Sequence, residues 1–312
     1  MSLVDDYQAA VQTSAVFRLP NRVLVEFTGE DRSRFLHNFC TNDIKSLAVN
    51  AGCEAVFTNI KARAMGHGFV FAGESSHWLE TGTAGLDALL QHLDKYLITD
   101  DVDIARRDDL QQILVTGPAA LERVTTACSL PEPLAELSQI RVEQLWLRRT
   151  DPFGQPGIVI AGAPAEIDSF VGVLSSPGRP VADDIVFEAV RLNAGFPLYG
   201  TDFDDQHLAP EVGRVKQTIS YRKGCYLGQE PIARIDALGH VNKSLCSIEI
   251  AGGEVPTRGA ALTDAEGSDV GTVTTAAADP SANHCFALAW LKFEHTTTGT
   301  RFQLGDRTAT VR

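Results

Sequence analysis

The pattern of residues changes at Lys243, and this change constrains the fold more than any other feature of the sequence. Beyond Lys243, short runs typical of strands are separated by Gly, Pro and Asp, and helical periodicity is absent. The predicted strands are Ser244–Ile250, Asp269–Thr275, Cys285–Leu291 and Thr308–Arg312, with a loop over Thr274–Ala278. The pattern predicts a small all-β C-terminal domain, a barrel or jelly roll, with its boundary near Asp236–Lys243.

The part of the chain before this boundary mixes helices and strands without a regular βαβ alternation, which indicates an α+β fold rather than a doubly wound sheet. The clearest helix is Leu86–Leu97, where leucines recur at helical spacing on one face. Residues Thr28–Asp31 predict a capping box at the start of another helix. Further predictions are one strand near Ile140–Arg148 and helices over Ala165–Leu174 and Ala182–Asn193. We expect two domains, 1–238, built of two intertwined subdomains, and 239–312.

Length and composition are those of a soluble globular protein. The 312 residues are suited to two or three domains, and 44% are hydrophobic while 21% are charged. No apolar stretch approaches the length needed to cross a membrane, so no membrane partner is expected. The N-terminus is acidic and lacks the basic segment of a signal peptide and the Arg-rich pattern of a transit peptide, which makes the cytoplasm the expected location.

Six cysteines are spread along the chain with no C-x-x-C pair, which argues against a disulfide framework. They are Cys40, Cys53, Cys128, Cys225, Cys246 and Cys285. Five of them are expected to act as small buried hydrophobes. Cys225 is the exception because its neighbours are polar and glycine-rich. No spacing of His and Cys supports a dedicated metal site.

The segment around Cys225 concentrates more chemistry than any other, and residues 222–234 spell RKGCYLGQEPIAR. Pro231 suits the first position of a short helix that Gly239 would end. A reactive thiol needs a nearby cation or helix N-terminus, which Lys223 and the helix start could supply. It also needs an orienting base, and the sequence names none. A redox or ligand-exchange thiol therefore fits better than a cysteine hydrolase.

The net charge of −13 argues against general nucleic-acid binding, which needs a basic surface. Residues 213–243 nevertheless carry six cations against two anions. This local excess could focus an anionic ligand. Alternatively, these cations pair with Asp202, Asp204, Asp205 and Glu211, and both interpretations stay open.

Several segments resemble the YgfZ family. The segment of residues 223–230, KGCYLGQE, followed by Ala233 and Arg234, is similar to the signature of that family, and the resemblance extends over nearly the whole chain. Further matching segments are Phe27–Asp31 with Phe35, Leu36 and Thr41–Asp43; Gly117–Ala119; and Arg191–Gly200 with Pro210 and Glu211. The resemblance implies a folate-binding protein that assists iron–sulfur cluster assembly or repair, with a link to tRNA modification. It also implies the scaffold of the glycine-cleavage T-protein, an aminomethyltransferase that uses tetrahydrofolate.

Two departures from the T-protein pattern separate this chain from the enzyme. Asn193 stands where the T-protein typically has the pterin-binding Glu of its "LEAG" segment. Gly66 or His67 stands at the place of the catalytic Asp, so the carboxylate that would stabilise charge or relay protons is missing there. The T-protein also lacks the Cys motif. These differences favour a YgfZ-like function over aminomethyl transfer.

The resemblance implies tetrahydrofolate, or a related folate, as the cofactor. The implied site residues are Cys225 as the functional or catalytic thiol and Asn193, Tyr199, Lys223, Gly224, Gln229, Glu230 and Arg234 for the cofactor. The Asn193 amide has both donors and acceptors for a pterin, and Tyr199 could stack on it or bond to it. Arg234 and Lys223 could hold the tail carboxylates.

Three functions from different classes follow. The first is an accessory, non-enzymatic folate-binding protein whose partners are iron–sulfur client or assembly proteins and whose essential thiol is Cys225. The alternative from the enzyme class is a folate-dependent aminomethyl or one-carbon transferase. The third is a tRNA-interacting module, for which the basic stretch 213–243 is the support.

Overall fold

The structure, a computed structural model, describes residues 2–175 and 181–312. Within these residues the chain forms two five-stranded antiparallel sheets with helices packed on them, followed by a closed barrel of six strands. The predicted fold class, α+β with a C-terminal β barrel, is thereby confirmed. No helix in the described part is both long and apolar enough to cross a membrane.

The elements fall into a mixed body and an all-strand C-terminal part. The body strands are β1 (Ala15–Arg18), β2 (Arg22–Thr28), β3 (Gly52–Thr58), β4 (Ala64–Ala72), β5 (His77–Gly82), β6 (Asp103–Arg106), β7 (Gln111–Thr116), β8 (Gln139–Val142), β9 (Leu145–Arg149) and β10 (Gly157–Gly162). The α-helices are α1 (Leu3–Gln12), α2 (Arg32–Phe39), α3 (Leu86–Asp94), α4 (Ala120–Ala127), α5 (Pro164–Leu174), α6 (Asp184–Asn193), α7 (Val215–Thr218) and α8 (Gln229–Leu238). The barrel strands are β11 (Lys243–Ala251), β12 (Ala261–Thr263), β13 (Asp269–Ala278), β14 (His284–Lys292), β15 (Arg301–Leu304) and β16 (Arg307–Val311).

The two body sheets face each other across a shared core. One sheet has the strand order β3-β4-β5-β2-β6 and the other β1-β7-β10-β9-β8. Phe71 and Trp78 of the first sheet belong to the same buried cluster as Leu114 of the second, and Phe286 of the barrel joins it. Burial of large apolar side chains on all three units therefore holds body and barrel together.

The barrel begins at Lys243, at the edge of the predicted boundary region, and α8 ends at Leu238. The division at 238/239 and the two intertwined subdomains stay predictions. The predicted loop over Thr274–Ala278 is wrong, because these residues continue β13. The hydroxyls of Thr274 and Thr275 donate to the buried carboxylate of Asp202, which holds this part of the strand against the body.

Three further local predictions need correction. The single strand near Ile140–Arg148 is a hairpin of β8 and β9, because the chain reverses at Glu143, whose φ is 54°. The helix predicted to reach Leu97 has its last helical residue at Asp94. The capping box at Thr28–Asp31 does not form. The Asp31 carboxylate instead accepts a hydrogen bond from the Asp101 amide at 3.0 Å.

A buried ion pair fixes the junction between body and barrel. The side chains of Arg191 and Asp202 are fully buried, and Arg191 Nη1 donates to Asp202 Oδ2 at 2.7 Å. The other carboxylate oxygen accepts from the hydroxyls of Thr274 and Thr275 on β13. Trp290 Nε1 of β14 donates to the Asp202 carbonyl at 3.1 Å. The carboxylate is fully hydrogen-bonded, as a buried charge requires.

Candidate functional site

A cleft with aromatic walls lies between the two body sheets. Phe69 of β4 and Phe196, just after α6, stack with ring centroids 6.3 Å apart. Phe153, in the loop between β9 and β10, meets the Phe196 ring edge-on at 5.9 Å, and Phe187 of α6 completes the apolar wall. Such walls suit a flat, weakly polar ring system.

Two polar groups in this cleft have hydrogen-bonding capacity to spare. Glu80 of β5 uses Oε1 to accept from Arg22 Nη2 at 3.0 Å, while its Oε2 has no hydrogen-bond partner within the described part of the chain. The Thr150 hydroxyl at the end of β9 is also buried and unpartnered there. Buried polar atoms are normally paired, so these two point to a ligand or to ordered water.

A buried charged cluster lies beside the same wall. Arg214 donates through Nε and Nη2 to the two carboxylate oxygens of Glu54, and His67 Nε2 lies 2.6 Å from Glu54 Oε1. The Arg214 guanidinium also lies 4.8 Å from the centroid of the Phe196 ring. Burial would raise the pKa of Glu54, but hydrogen bonds from Arg214 and His67 outweigh it and lower that pKa to about 2. The carboxylate that contacts His67, that of Glu54, is therefore already ion-paired with Arg214.

The cleft is narrow. Its cavity volume is about 30 Å³, which is room for about two waters. A flat ring can therefore bind in the cleft only if its aromatic walls move apart. Pro152 and Phe153 belong to the loop between β9 and β10, and such a wall moves at lower cost than a strand.

The predicted thiol lies elsewhere, on a loop of residues 223–227 that we term the cysteine loop. Lys223 is buried, and its Nζ donates to the carbonyls of His37, Cys40 and Asn42 at 2.6, 2.7 and 2.8 Å. An ammonium has three protons, so none is left for a ligand. Burial lowers the pKa of Lys223. Lys223 therefore anchors the loop, and its predicted contact with a folate tail stays a prediction.

The exposed part of the cysteine loop is Gly224 and Cys225, whose thiol is free and open to solvent. The loop leads into α8, which begins at Gln229 rather than at the predicted Pro231. Gly228 precedes it with φ of 88°, and a Cβ there would lie 2.5 Å from the Asn59 carbonyl oxygen. Only glycine meets both demands without strain.

The remaining predicted site residues lie on α8 and at Tyr199. Glu230 and Arg234 are exposed on α8, and Gln229 is half-buried there. The Tyr199 hydroxyl lies 3.5 Å from the Ala64 carbonyl oxygen, and burial raises the pKa of this tyrosine to about 12. None of these residues lines the aromatic cleft, so their contacts with a folate stay predictions.

The side chain of Asn193, the predicted pterin contact, forms hydrogen bonds with Tyr7 and Arg312. Its Nδ2 donates to the Tyr7 hydroxyl at 3.1 Å, and its Oδ1 accepts from Arg312 Nη2 at 2.8 Å. Burial is the largest factor that raises the pKa of Tyr7 to about 12, so the phenol stays protonated. Both polar ends of the Asn193 side chain are thus used within the protein, and its contact with a pterin stays a prediction, while the carboxylate beside the aromatic walls with an oxygen unpartnered among the described residues is that of Glu80.

The basic stretch 213–243 is less exposed than its sequence indicates. Arg214 and Lys223 are held inside the protein and Lys243 is half-buried over the Trp290 ring, which leaves Lys216, Arg222 and Arg234 exposed. Among the described residues, none of these cations forms an ion pair with the nearby acids, so that alternative is wrong, whereas the focusing of an anionic ligand stays a prediction. Those acids find other partners: Asp202 pairs with Arg191, Asp204 with His207, Asp205 accepts from Gln206, and Glu211 accepts from the Leu208 amide.

Sequence reasoning missed Glu80, Arg22 and Thr150. A signal was present, because Glu80 stands within the strand HWLET, where a polar residue among apolar ones marks either an exposed face or a buried site. Only the fold shows that Glu80 is buried.

Comparisons with known proteins agree with this architecture. Residues 243–312 match the family model described as "Glycine cleavage T-protein C-terminal barrel domain". The glycine cleavage system aminomethyltransferase T of Bartonella henselae superposes with a TM-score of 0.88 at 16% identity, over 99% of this chain and 88% of that one. The chain therefore has an aminomethyltransferase-like fold with a barrel of the T-protein C-terminal type.

The relatives that match by sequence include a YgfZ protein and aminomethyltransferases. The tRNA-modifying protein YgfZ of Colwellia psychrerythraea is 27% identical over 75% of this chain and 74% of its own length. The chloroplastic protein At1g60990 of Arabidopsis thaliana is 23% identical over 90% of this chain, and the match spans 66% of that protein, just under two thirds. The mitochondrial aminomethyltransferase of Pisum sativum is 24% identical over 97% of this chain and 78% of its own length. The resemblance to YgfZ and its aminomethyltransferase relatives is thus confirmed.

Proposed function

We propose that this protein binds a reduced folate in the aromatic cleft and supports the assembly or repair of iron–sulfur proteins through the Cys225 thiol. The observation that carries the folate part is the cleft itself. It combines stacked aromatic walls with a buried carboxylate oxygen and a buried hydroxyl that lack partners among the described residues.

The chemistry of these groups fits the pterin ring of a folate. One edge of a pterin presents N–H donors, and a single carboxylate oxygen can accept from such a donor in a charge-assisted hydrogen bond. Arg22 holds Oε1 of Glu80 and leaves Oε2 free to accept from the ring. Thr150 can donate to or accept from a ring heteroatom. Stacking on the aromatic walls supplies the nonpolar part of the binding energy.

Two observations favour an accessory role over aminomethyl transfer. Position 67 is a histidine, and Glu54 beside it is held by Arg214 and His67. No free carboxylate therefore stands where the T-protein pattern places its catalytic one. In addition, the exposed Cys225 lies on a separate loop, away from the cleft, where it can reach another protein.

The name of one relative adds a second candidate, a role in tRNA modification. The support within this chain is the exposed set Lys216, Arg222 and Arg234. Three exposed cations form a small basic patch on a protein whose net charge is −13. Phosphate contacts dominate nucleic-acid affinity, so we place the tRNA link behind the iron–sulfur role.

The experiment is a calorimetric titration with tetrahydrofolate under reducing conditions, on the wild type and on Cys225→Ala. We expect stoichiometric binding by both, because the thiol is outside the cleft. Absence of binding by the wild type would overturn the folate proposal. In parallel, Cys225→Ala should fail to restore the activity of iron–sulfur enzymes in a deletion strain, and full complementation would overturn the role of the thiol.

A further inference from the structure

A cavity lined by arginines lies where the chain crosses between the two body sheets. One crossing joins β1 to β2, and the other joins β6 to β7. Four arginines line the cavity, Arg18 and Arg22 from the first crossing and Arg106 and Arg107 from the second. Its volume is about 420 Å³, which is within the range of small-molecule sites. We term this cavity the arginine groove.

The arginine groove adjoins the aromatic cleft, because Leu19 and Arg22 line both cavities. Arg22 Nη2 donates to Glu80 Oε1 at 3.0 Å, and the other oxygen of Glu80 is the one that lacks a partner among the described residues. The side-chain hydrogen bonds that Arg22 makes within those residues all come from Nη2, so Nε and Nη1 have donors to spare. A ring that contacts Glu80 therefore has arginine donors of the groove beside it.

A buried amide in the groove also lacks partners. Gln112 of β7 lines the groove and is 4% exposed. Neither its Oε1 nor its Nε2 has a hydrogen-bond partner within the described part of the chain. Buried polar atoms are normally paired, and an amide nitrogen can donate to a carboxylate. Gln112 therefore points to a polar ligand group or to ordered water in the groove.

The acids that pair with the two exposed arginines of the groove are themselves exposed. Arg18 pairs with Asp168 at 2.6 Å, and Arg106 pairs with Asp87 and Asp108 at 3.1 and 2.7 Å. The side chains of these acids are 63%, 91% and 67% exposed, respectively. Ion pairs at such exposure contribute little, because water and salt screen them. A ligand carboxylate can therefore share or replace these partners.

Arg107 is held more firmly than these two. It pairs with the partly buried Glu26 at 2.7 Å and with Asp109 at 2.8 Å, and it lies over the Trp78 ring. Arg107 therefore forms part of the wall, whereas Arg18 and Arg106 are the cations that a ligand can engage from solvent.

We propose that the arginine groove holds the carboxylates of the folate tail while the pterin ring lies in the aromatic cleft. A folate carries its glutamate at the end opposite the ring, so it needs two adjoining sites of different chemistry. Arginine binds carboxylates through paired, charge-assisted hydrogen bonds. The net charge of −13 would otherwise repel an anionic tail. The inference rests on the proposed function, and it assigns the tail to the groove rather than to Lys223 and Arg234.

The test is calorimetric titration with tetrahydrofolate triglutamate and with a methyl-substituted tetrahydropterin that lacks the tail. A hydrogen bond to a charged group changes affinity by about tenfold or more. The double variant Arg18→Gln with Arg106→Gln should therefore bind the triglutamate at least about tenfold less tightly than the wild type does. Its affinity for the tail-less ring should stay unchanged. Equal affinity of the double variant and the wild type for the triglutamate would overturn the inference.

Two further variants separate the groove from general electrostatics and from α8. Arg258→Gln with Arg301→Gln removes the same charge from two exposed arginines of the barrel and should bind the triglutamate as the wild type does. Arg234→Gln changes the exposed cation of α8 that the family resemblance implies for the tail. A loss of triglutamate affinity in Arg234→Gln, with none in the groove variant, would place the tail at α8 and overturn the inference.

The salt dependence of the wild type decides the question even if the groove variant does not fold. Salt screens exposed charges, so triglutamate binding should weaken as salt rises, while binding of the tail-less ring should not change. Triglutamate binding that is constant or stronger at high salt would overturn the inference, because an acidic surface without such a groove repels the tail. Failure of the wild type to bind either ligand would overturn the proposed function and the inference with it. Binding of both ligands with no effect of the groove variant would overturn the inference alone.

Discussion

Replacing Asp202 by alanine should destabilise the protein by about 3–5 kcal/mol, the usual cost of removing one partner from a buried ion pair. The variant leaves the fully buried Arg191 with Glu188, whose side chain is 35% exposed. It also removes the acceptor of the Thr275 hydroxyl and one of the two acceptors of the Thr274 hydroxyl, which keeps the Leu288 carbonyl. The loss should concentrate at the junction, because these groups join the body to the barrel.

Urea unfolding followed by circular dichroism and by tryptophan fluorescence measures this effect. A loss of this size lowers the midpoint by roughly 1 M or more. Trp290 donates to the Asp202 carbonyl, so its fluorescence reports on the junction. Asp205→Ala is the matched control, since Asp205 is an exposed carboxylate three residues away, and it should cost less than about 0.5 kcal/mol. A loss below about 1 kcal/mol in Asp202→Ala would refute the assigned role of the ion pair.

Three further perturbations test the site and its supports. The pKa of Glu54 is lowered to about 2 in the folded protein, against about 4.3 when unfolded. The ionised carboxylate therefore stabilises the fold above the higher value, and this stabilisation is lost as pH falls toward the lower one. In Glu54→Gln, the free energy of unfolding should fall less steeply over that acid range, and an unchanged slope would contradict this. Lys223→Met leaves three carbonyls without their hydrogen-bond donor and should lower the free energy of unfolding by about 3 kcal/mol. The cysteine loop should also become sensitive to limited proteolysis, whereas resistance equal to the wild type would show that the ammonium does not anchor the loop. Gly228→Ala should cost at least about 1 kcal/mol more than Gly239→Ala, measured by chemical unfolding, because both have positive φ but a Cβ at 228 alone meets the carbonyl of Asn59; equal losses would count against the steric argument.

Local features of the fold could be predicted from the sequence where periodicity and breakers agree. The helix over Ala165–Leu174 lies within one residue of its predicted bounds, and the helix over Ala182–Asn193 begins two residues later, at Asp184. The strands of the barrel follow the alternation of strand and turn residues. The hairpin at Glu143 was missed because a non-glycine residue with positive φ gives no compositional signal.

The candidate site was harder to predict, since its contacts join residues far apart in the chain. The resemblance implies Lys223 as a contact of the folate tail, and the sequence gives no sign that its ammonium donates to the carbonyls of His37, Cys40 and Asn42, which lie far earlier in the chain. Glu80 became a candidate only when its unpartnered oxygen was found between aromatic walls. A single sequence does not give such long-range pairings.

The measurement that tests the central claim most directly compares tetrahydrofolate binding to the wild type, Glu80→Gln and Glu74→Gln by isothermal titration calorimetry. A hydrogen bond to a charged group contributes about 1.5–3 kcal/mol, so loss of the Glu80 charge should weaken binding at least about tenfold. Glu74 is exposed outside the cleft, and its variant should bind as the wild type does. Wild-type affinity in Glu80→Gln would contradict the placement of the folate ring in this cleft.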